Sequence, residues 1–300
     1  MPELRKVIHL FLLTADNAFQ IEQARAAEAA ARRLGVDLVV RYAENNTLVQ
    51  IDQAFSSIHA KNGPAPDAVI VEPVAGEGLP RVARNAVRSG IGWAVLNSDA
   101  PYMAEIRRES PEVPAVAVSV DNLKIGELQA AQLLRLLSGR EPATALCVQG
   151  PPAATPARRR AQGLDAALAG HRVERTRLDA RWTVDSAREV VSHWVQLRGQ
   201  ANVDAVLAQN DEMAEGARQA IAERLGESVA ARVRFLGCDG LKSYGQALIR
   251  AGHLAATLAT ELPAQRAVEL LGAALAGGPM PPEEVLLPPS STPPLDALTP

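Results

Sequence analysis

An α/β chain of two doubly wound, Rossmann-like lobes with parallel sheets is what the sequence predicts, and three observations predict it. Short runs of continuous apolar residues alternate with amphipathic stretches of helical length almost without a break. The alternation restarts at residue 143, after one long helix-like segment. Polar residues collect at the same end of nearly every apolar run. Continuous apolar strands, each followed by a helix, indicate parallel sheets covered on both faces. Two such series in one chain indicate two lobes with a ligand cleft between them.

In order, KVIHLFLL (6–13) is the first core strand, followed by the amphipathic segment Phe19–Leu34, which ends at the natural helix stop Gly35. DLVVRY leads to a helix over Leu48–Ala60, DAVIVEP to one over Leu79–Ser89, and IGWAVLN to a loop. AVAVSVDN precedes the long helix Leu123–Leu137, closed by Ser138-Gly139. In the second series ATALCVQG leads to Ala157–Ala169 and RVERTRL to Asp185–Arg198. VDAVLAQN then leads to Glu212–Leu225, and VRFLGCDG to Tyr244–Ala251. HLAATLAT, a helix over Leu262–Ala276 and the strand-like EEVLLP complete it. The proline-rich tail PPSSTPPLDALTP is expected to lack regular structure and to run over the surface or fray.

Bulk properties exclude several classes. A chain of 300 residues can bury roughly three quarters of its unfolded surface, enough for two cores. Its net charge of −3 comes from interspersed acids and bases, so no basic face is offered to nucleic acid or anionic lipid. Cys147 and Cys238 each lie inside an apolar run, as buried inert thiols do. The five histidines are scattered; neither zinc nor any other cofactor is expected. No run reaches the roughly 18 apolar residues of a membrane-spanning helix. MPELRKVIHLFLLTADNA imitates a signal peptide, but His9 interrupts its short apolar run and the segment serves better as a core strand. No signal peptide is therefore read in this chain.

In open parallel sheets ligands bind beyond the carboxyl ends of the strands, so the residues that follow each strand are the candidates. They are Asp16, Asn17, Phe19 and Gln20; Glu72-Pro73; Asn97-Ser98-Asp99; and Asp121-Asn122. In the second half they are Gln149-Gly150 with Arg158, Arg159 and Arg160, then Trp182, Asn210-Asp211, Asp239-Gly240 and Thr260-Glu261. Each has a plainer reading. Asn210 and Asp239 would serve as helix caps, Arg160 as part of a solvated face, Trp182 as a core aromatic, and Phe19 as a staple. Adjacent Asp211 and Glu212 look like a catalytic pair, but they point in different directions and suit a helix N-terminus as first-turn anions.

Taken in order, TADNAF, VEP, ARRRAQGL, AQNDEMAEGA, GCDG and GHLAATLA resemble the type I periplasmic sugar-binding proteins. The likeness is to the ribose-binding group, which shares its core with LacI-like regulators, and it covers roughly residues 5–288. The resemblance implies a three-crossing hinge, near Asp121, Thr260 and Val285. It implies an N-terminal lobe of 1–120 with 261–284 and a C-terminal lobe of 121–260 with 285–300. Ligand contacts are implied at Asn17, Phe19, Asn97, Ser98, Arg160, Trp182, Asn210, Asp239 and Thr260, with Gln20 and Asp121 beside them. Carboxylate, guanidinium and amide groups make charge-assisted or paired hydrogen bonds to hydroxyls, and Phe19 and Trp182 would face the apolar sides of a sugar ring.

The chain departs from the ribose binders at Gln20, where they carry a second aromatic. It departs again at Asn97-Ser98, their acidic–basic pair, and at Thr260, their amide. These departures count against ribose itself; a pyranose, a cyclitol or another polar neutral metabolite fits as well.

The function so implied is a monomeric solute-binding protein without catalysis. It captures a small polar ligand, a sugar, polyol or cyclitol, by hinge closure for the membrane subunits of an ABC importer. Its place would be periplasmic or extracellular, or cytoplasmic if the chain natively lacks a signal. The alternative is the sensor core of a LacI-like regulator or a partner of a chemoreceptor or histidine kinase. The first core strand begins near Lys6 and leaves no room for a DNA-reading module, so nucleic acid is not an expected partner. An enzyme is the outside alternative, since no nucleophile elbow, Walker loop or dinucleotide fingerprint is present. Arg160→Ala and Asp239→Ala are expected to remove ligand-induced stabilisation while leaving the fold intact.

Overall fold

A computed structural model describes residues 5–59, 64–76, 78–140, 142–198 and 202–300. The first series comprises β1 (Val7–Leu12), α1 (Ala18–Leu34), β2 (Asp37–Tyr42), α2 (Thr47–Ile58) and β3 (Ala68–Val71). It continues through α3 (Pro80–Arg88), β4 (Gly92–Leu96), α4 (Met103–Glu109), β5 (Ala115–Val120) and α5 (Asn122–Leu136). Then come β6 (Ala143–Gln149), α6 (Thr155–Ala167), β7 (Val173–Asp179), α7 (Val184–Arg198), β8 (Ala205–Ala208) and α8 (Asp211–Leu225). The chain closes with α9 (Glu227–Ala230), β9 (Arg234–Leu236), α10 (Gly245–Arg250), β10 (Thr257–Ala259), α11 (Pro263–Leu275), β11 (Glu284–Leu287) and β12 (Ser290–Thr292). The chain divides into two compact units, Met1–Val120 with Glu261–Leu287, and Asp121–Thr260 with Pro288–Pro300.

In the first unit six parallel strands run in the order β11-β5-β4-β3-β1-β2. The inner strands β3 (AVIV) and β4 (GWAVL) are buried at every residue, as apolar runs covered by helices on both faces must be. Trp93 fills one side of this core with no exposed surface, and its indole N–H donates to the Tyr102 hydroxyl at 3.2 Å. Tyr102 passes the bond to the Gly78 carbonyl at 2.6 Å, and burial raises its phenol well above the ordinary range. Gly35 ends α1 at φ 68°, its amide returning to the Ala31 and Arg32 carbonyls.

The second unit repeats the plan with parallel strands in the order β7-β6-β8-β9. Single bridges, Leu236 to Ala256 and Asp239 to Ala259, carry the sheet on to β10. The order reverses between β1 and β3 in one unit and between β6 and β8 in the other. These are the switch points where such sheets bind ligands.

Four features differ from the sequence reading. The loop expected after IGWAVLN contains α4, a short helix held by buried Met103 and Ile106; seven residues are too few for periodicity to reveal. The helix expected to reach Ala60 ends at Ile58, and Ala60 lies outside the described residues. Residues 285–287 stay with the first unit, beyond the crossing expected near Val285, because β11 pairs in register with β5. The tail is regular: β12 pairs antiparallel with β10, Leu295–Ala297 form a 3₁₀ turn, and Leu298 is buried. Proline disfavours the interior of a helix but is tolerated beside an edge strand. The Gln132 amide clamps the pair by donating to the Thr257 carbonyl at 3.0 Å and the Ser291 hydroxyl at 2.9 Å.

Candidate functional site

At the strand ends of the first unit, Asn17 caps α1, its side chain accepting from the Gln20 amide at 3.2 Å. Phe19 is half-buried on the first turn. The polar centre here is Glu72, directly after β3 and buried. One carboxylate oxygen accepts from the side-chain amides of Gln20 at 2.9 Å and Gln23 at 2.5 Å, and the other from Asn97 at 2.8 Å. The Gln50 amide holds its backbone carbonyl at 2.7 Å.

Amide donors to the charged form are what make a buried carboxylate tolerable. Asn97 stands at φ 48°, a left-handed conformation that Asn enters more readily than most residues. Its carbonyl oxygen accepts from the Val120 amide at 3.2 Å. Ser98 donates to the Gly76 carbonyl at 3.2 Å. Glu72 was named in the sequence only as a strand-end residue. The signal it offered was a single carboxylate directly behind an uninterrupted apolar run.

In the second unit Gln209 and Asn210, together with Arg160, hold the strand ends in place. Gln209 accepts from the Gly150 amide at 2.9 Å and donates to the Ala157 carbonyl at 3.0 Å, while its own carbonyl accepts from Arg160. Asn210 caps α8, accepting from the Met213 amide at 2.8 Å, and its amide group donates to the Trp182 carbonyl at 2.9 Å. That second bond helps hold Trp182 at φ 65°, a conformation rare for so bulky a side chain. The cap reading and the site reading of Asn210 are therefore not exclusive.

Of the arginine run, Arg158 and Arg159 are exposed and Arg160 is buried. Its Nε donates to the Asn122 carbonyl oxygen at 2.9 Å, its Nη1 stands 4.0 Å from the Asp239 carboxylate, and its guanidinium carbon lies 5.8 Å from the Trp182 ring centre. Arg160, Trp182 and Asp239 are thus brought together. Because Arg160 is bonded into the unit, its truncation is expected to destabilise the fold as well as to remove ligand-induced stabilisation.

Asp121 caps α5, accepting from the Lys124 amide at 2.9 Å. The Thr260 hydroxyl is buried with no hydrogen-bond partner among the described residues. Asp211 stands in the first turn of α8, as the sequence suggests, but it is buried, its carboxylate turned toward β10.

Arg160 owes its position to two glycines. A methyl group at Gly126 would overlap the Arg160 carbonyl, and one at Gly163 would overlap the Leu123 carbonyl, so α6 lies directly against α5. Gly163→Ala is expected to cost about 2 kcal/mol by overpacking and to shift Arg160, which a lowered urea midpoint together with weakened ligand binding would reveal.

Both cysteines are buried; burial pushes the thiol of Cys147 up to about 11 and that of Cys238 up to about 12. Among the described residues no group of His, Cys, Asp or Glu could hold a metal ion, and no helix is long and apolar enough to cross a membrane. Two surface hollows of about 450 and 430 Å³ lie at the opposite ends of the second unit's strands and include none of the predicted residues.

Known proteins resemble the chain along most of its length. The xylitol-binding protein of Mycolicibacterium smegmatis is 26% identical over 243 residues, 80% of this chain and 64% of that protein. A putative rhizopine-binding protein of Rhizobium meliloti is 28% identical over 69% of this chain, again spanning 64% of its relative. The chain thus matches less than two thirds of the length of these two proteins. The ribose import binding protein of Escherichia coli is 26% identical over 87% of the chain and 81% of its own length. Among solved structures, a galactofuranose binding protein shares the fold with a TM-score of 0.83 at 20% identity, over 95% of this chain and 94% of that one. The periplasmic binding protein domain model matches residues 8–279, and its family comprises binding proteins, not enzymes. With two doubly wound units and polar side chains gathered at their strand ends, the chain belongs to the periplasmic binding protein domain family.

Proposed function

We propose that the chain binds a small neutral sugar, polyol or cyclitol and delivers it, outside the cytoplasm, to the membrane subunits of an ABC importer. The observation that carries this reading is the grouping of Arg160, Trp182 and Asp239 at the strand ends of the second unit. A fixed guanidinium, a carboxylate and an aromatic face offer donors, acceptors and an apolar surface, the three needs of a polyol. Asn17, Phe19, Asn97 and Ser98 supply the contacts of the first unit, joined by Glu72, while Gln20 and Asp121 support their neighbours. Thr260 brings a buried hydroxyl without a partner among the described residues. The lobes are 1–120 with 261–287 and 121–260 with 288–300. Contacts from both stabilise a closed state, so binding and hinge closure are one equilibrium. The relatives that bind xylitol and import ribose support the ligand class.

A thermal-shift screen with D-ribose, D-galactose, xylitol and myo-inositol tests this. At least one should raise the unfolding temperature and change the Trp182 fluorescence, with the fluorescence change lost in Trp182→Phe. If polyols and sugars all leave the protein unmoved, the reading fails.

A further inference from the structure

We propose that Asp211 is a positioning residue: its buried carboxylate pins the Gly237–Gly240 corner to β10 and so sets where Asp239 stands. Asp211 is only 2% exposed. One carboxylate oxygen accepts from the Gly240 amide at 2.9 Å and the other from the Thr257 hydroxyl at 2.5 Å. Its own amide donates to the Cys238 carbonyl at 2.8 Å. Methyl groups at Gly237 or Gly245 would overlap the carboxylate, so the chain packs glycine around it on two sides.

Between the residues so held stands Asp239, at φ 98°, its amide donating to the Leu258 carbonyl at 3.0 Å. Aspartate enters positive φ more readily than most residues, but the conformation still costs energy and is held here by its surroundings. Here the determinants are Asp211 on one side and β10 on the other. The Gly240 amide needs an acceptor here, while the Thr257 hydroxyl can donate or accept, so a carboxyl group serves both partners whether or not it carries its proton.

Charged and titratable groups around it are Arg160 on α6, Glu212 on α8, Cys238 and Asp239 in the corner, and Tyr244 before α10. Burial outweighs the opposing Thr257 and Gly240 bonds and the Arg160 charge, and raises the carboxyl to about 7. The folded chain then holds this proton more tightly than the unfolded one. The stabilisation is complete below the unfolded value of 3.8 and is lost as pH rises through about 7.

The placement of Asp239 stands on the geometry; its use in binding rests on the function proposed above. The test follows the Gly240 amide resonance of the ligand-free protein across the same pH range, in wild type and Asp211→Asn. In wild type it should titrate well above the usual carboxylate range, and in Asp211→Asn the titration should vanish. The unfolding temperature of Asp211→Asn relative to wild type should also rise between about pH 4 and about pH 7.

With xylitol, D-ribose and myo-inositol as probes, Asp211→Ala should weaken binding by folded protein about tenfold. Asp211→Asn, whose amide can be accommodated by rotation of the Thr257 hydroxyl, should restore it. A Gly240 amide that is flat, or that still titrates in Asp211→Asn, overturns the proposal, as does unchanged affinity in Asp211→Ala. If instead Gly240 titrates as expected but Asp239→Ala binds every probe normally, the positioning stands and the binding role of Asp239 falls.

Discussion

Arg160→Ala is expected to lower the free energy of unfolding by about 3 kcal/mol and to weaken ligand binding about 100-fold or more. The loss of stability follows from what the guanidinium leaves behind: the Asn122 side-chain oxygen, the Gln209 carbonyl and a nearby Asp239 carboxylate. Buried acceptors without donors cost about 1–3 kcal/mol each, partly recovered as water enters. Arg160→Lys separates the two effects. It keeps a charge near Asp239 but loses the planar fork, so stability should recover in part while binding does not. Urea denaturation and calorimetric titration of the three proteins measure both quantities. Normal binding by either variant would remove Arg160 from the site.

Glu72→Ala is expected to be as severe on the other unit, with a loss of about 3 kcal/mol. The carboxylate satisfies three side-chain donors, two from α1 and one from the end of β4, and truncation would free all three at once. Glu72→Gln retains the shape but faces three amides with an amide, so it should fall between alanine and wild type. Denaturation midpoints decide it. A change of less than about 1 kcal/mol in Glu72→Ala would mean that water or rotation of the amides replaces the carboxylate cheaply.

How much was legible in the sequence depended on whether a feature had a period or an edge. Long apolar strands and capped helices have both, so the alternation and its restart at Ala143 could be read directly. The seven-residue α4 and the three-residue β12 have neither, and only tertiary packing makes them regular. Strand ends could be located, which put Arg160, Trp182, Asn210 and Asp239 on the page. The division of labour among neighbours could not. Nothing in the letters QND says that the first residue holds a loop, the second holds a tryptophan and the third is turned toward β10. Glu72 could be named as a strand-end residue but its central role could not be read, since its three amide partners come from two places far apart in the chain.

The pairings of the last two strands bear on the order in which the molecule can be assembled. β11 completes the sheet of the first unit by pairing with β5, and β12 completes that of the second by pairing with β10. Both strands lie within the final stretch of the chain. As the polypeptide emerges from the amino end, the first unit therefore carries an unfilled strand position until residue 287 is available, and the second until residue 292. Long-range closure of this kind slows folding and prolongs the exposure of open sheet edges. It also keeps a partly made chain from locking into a final structure before it is complete.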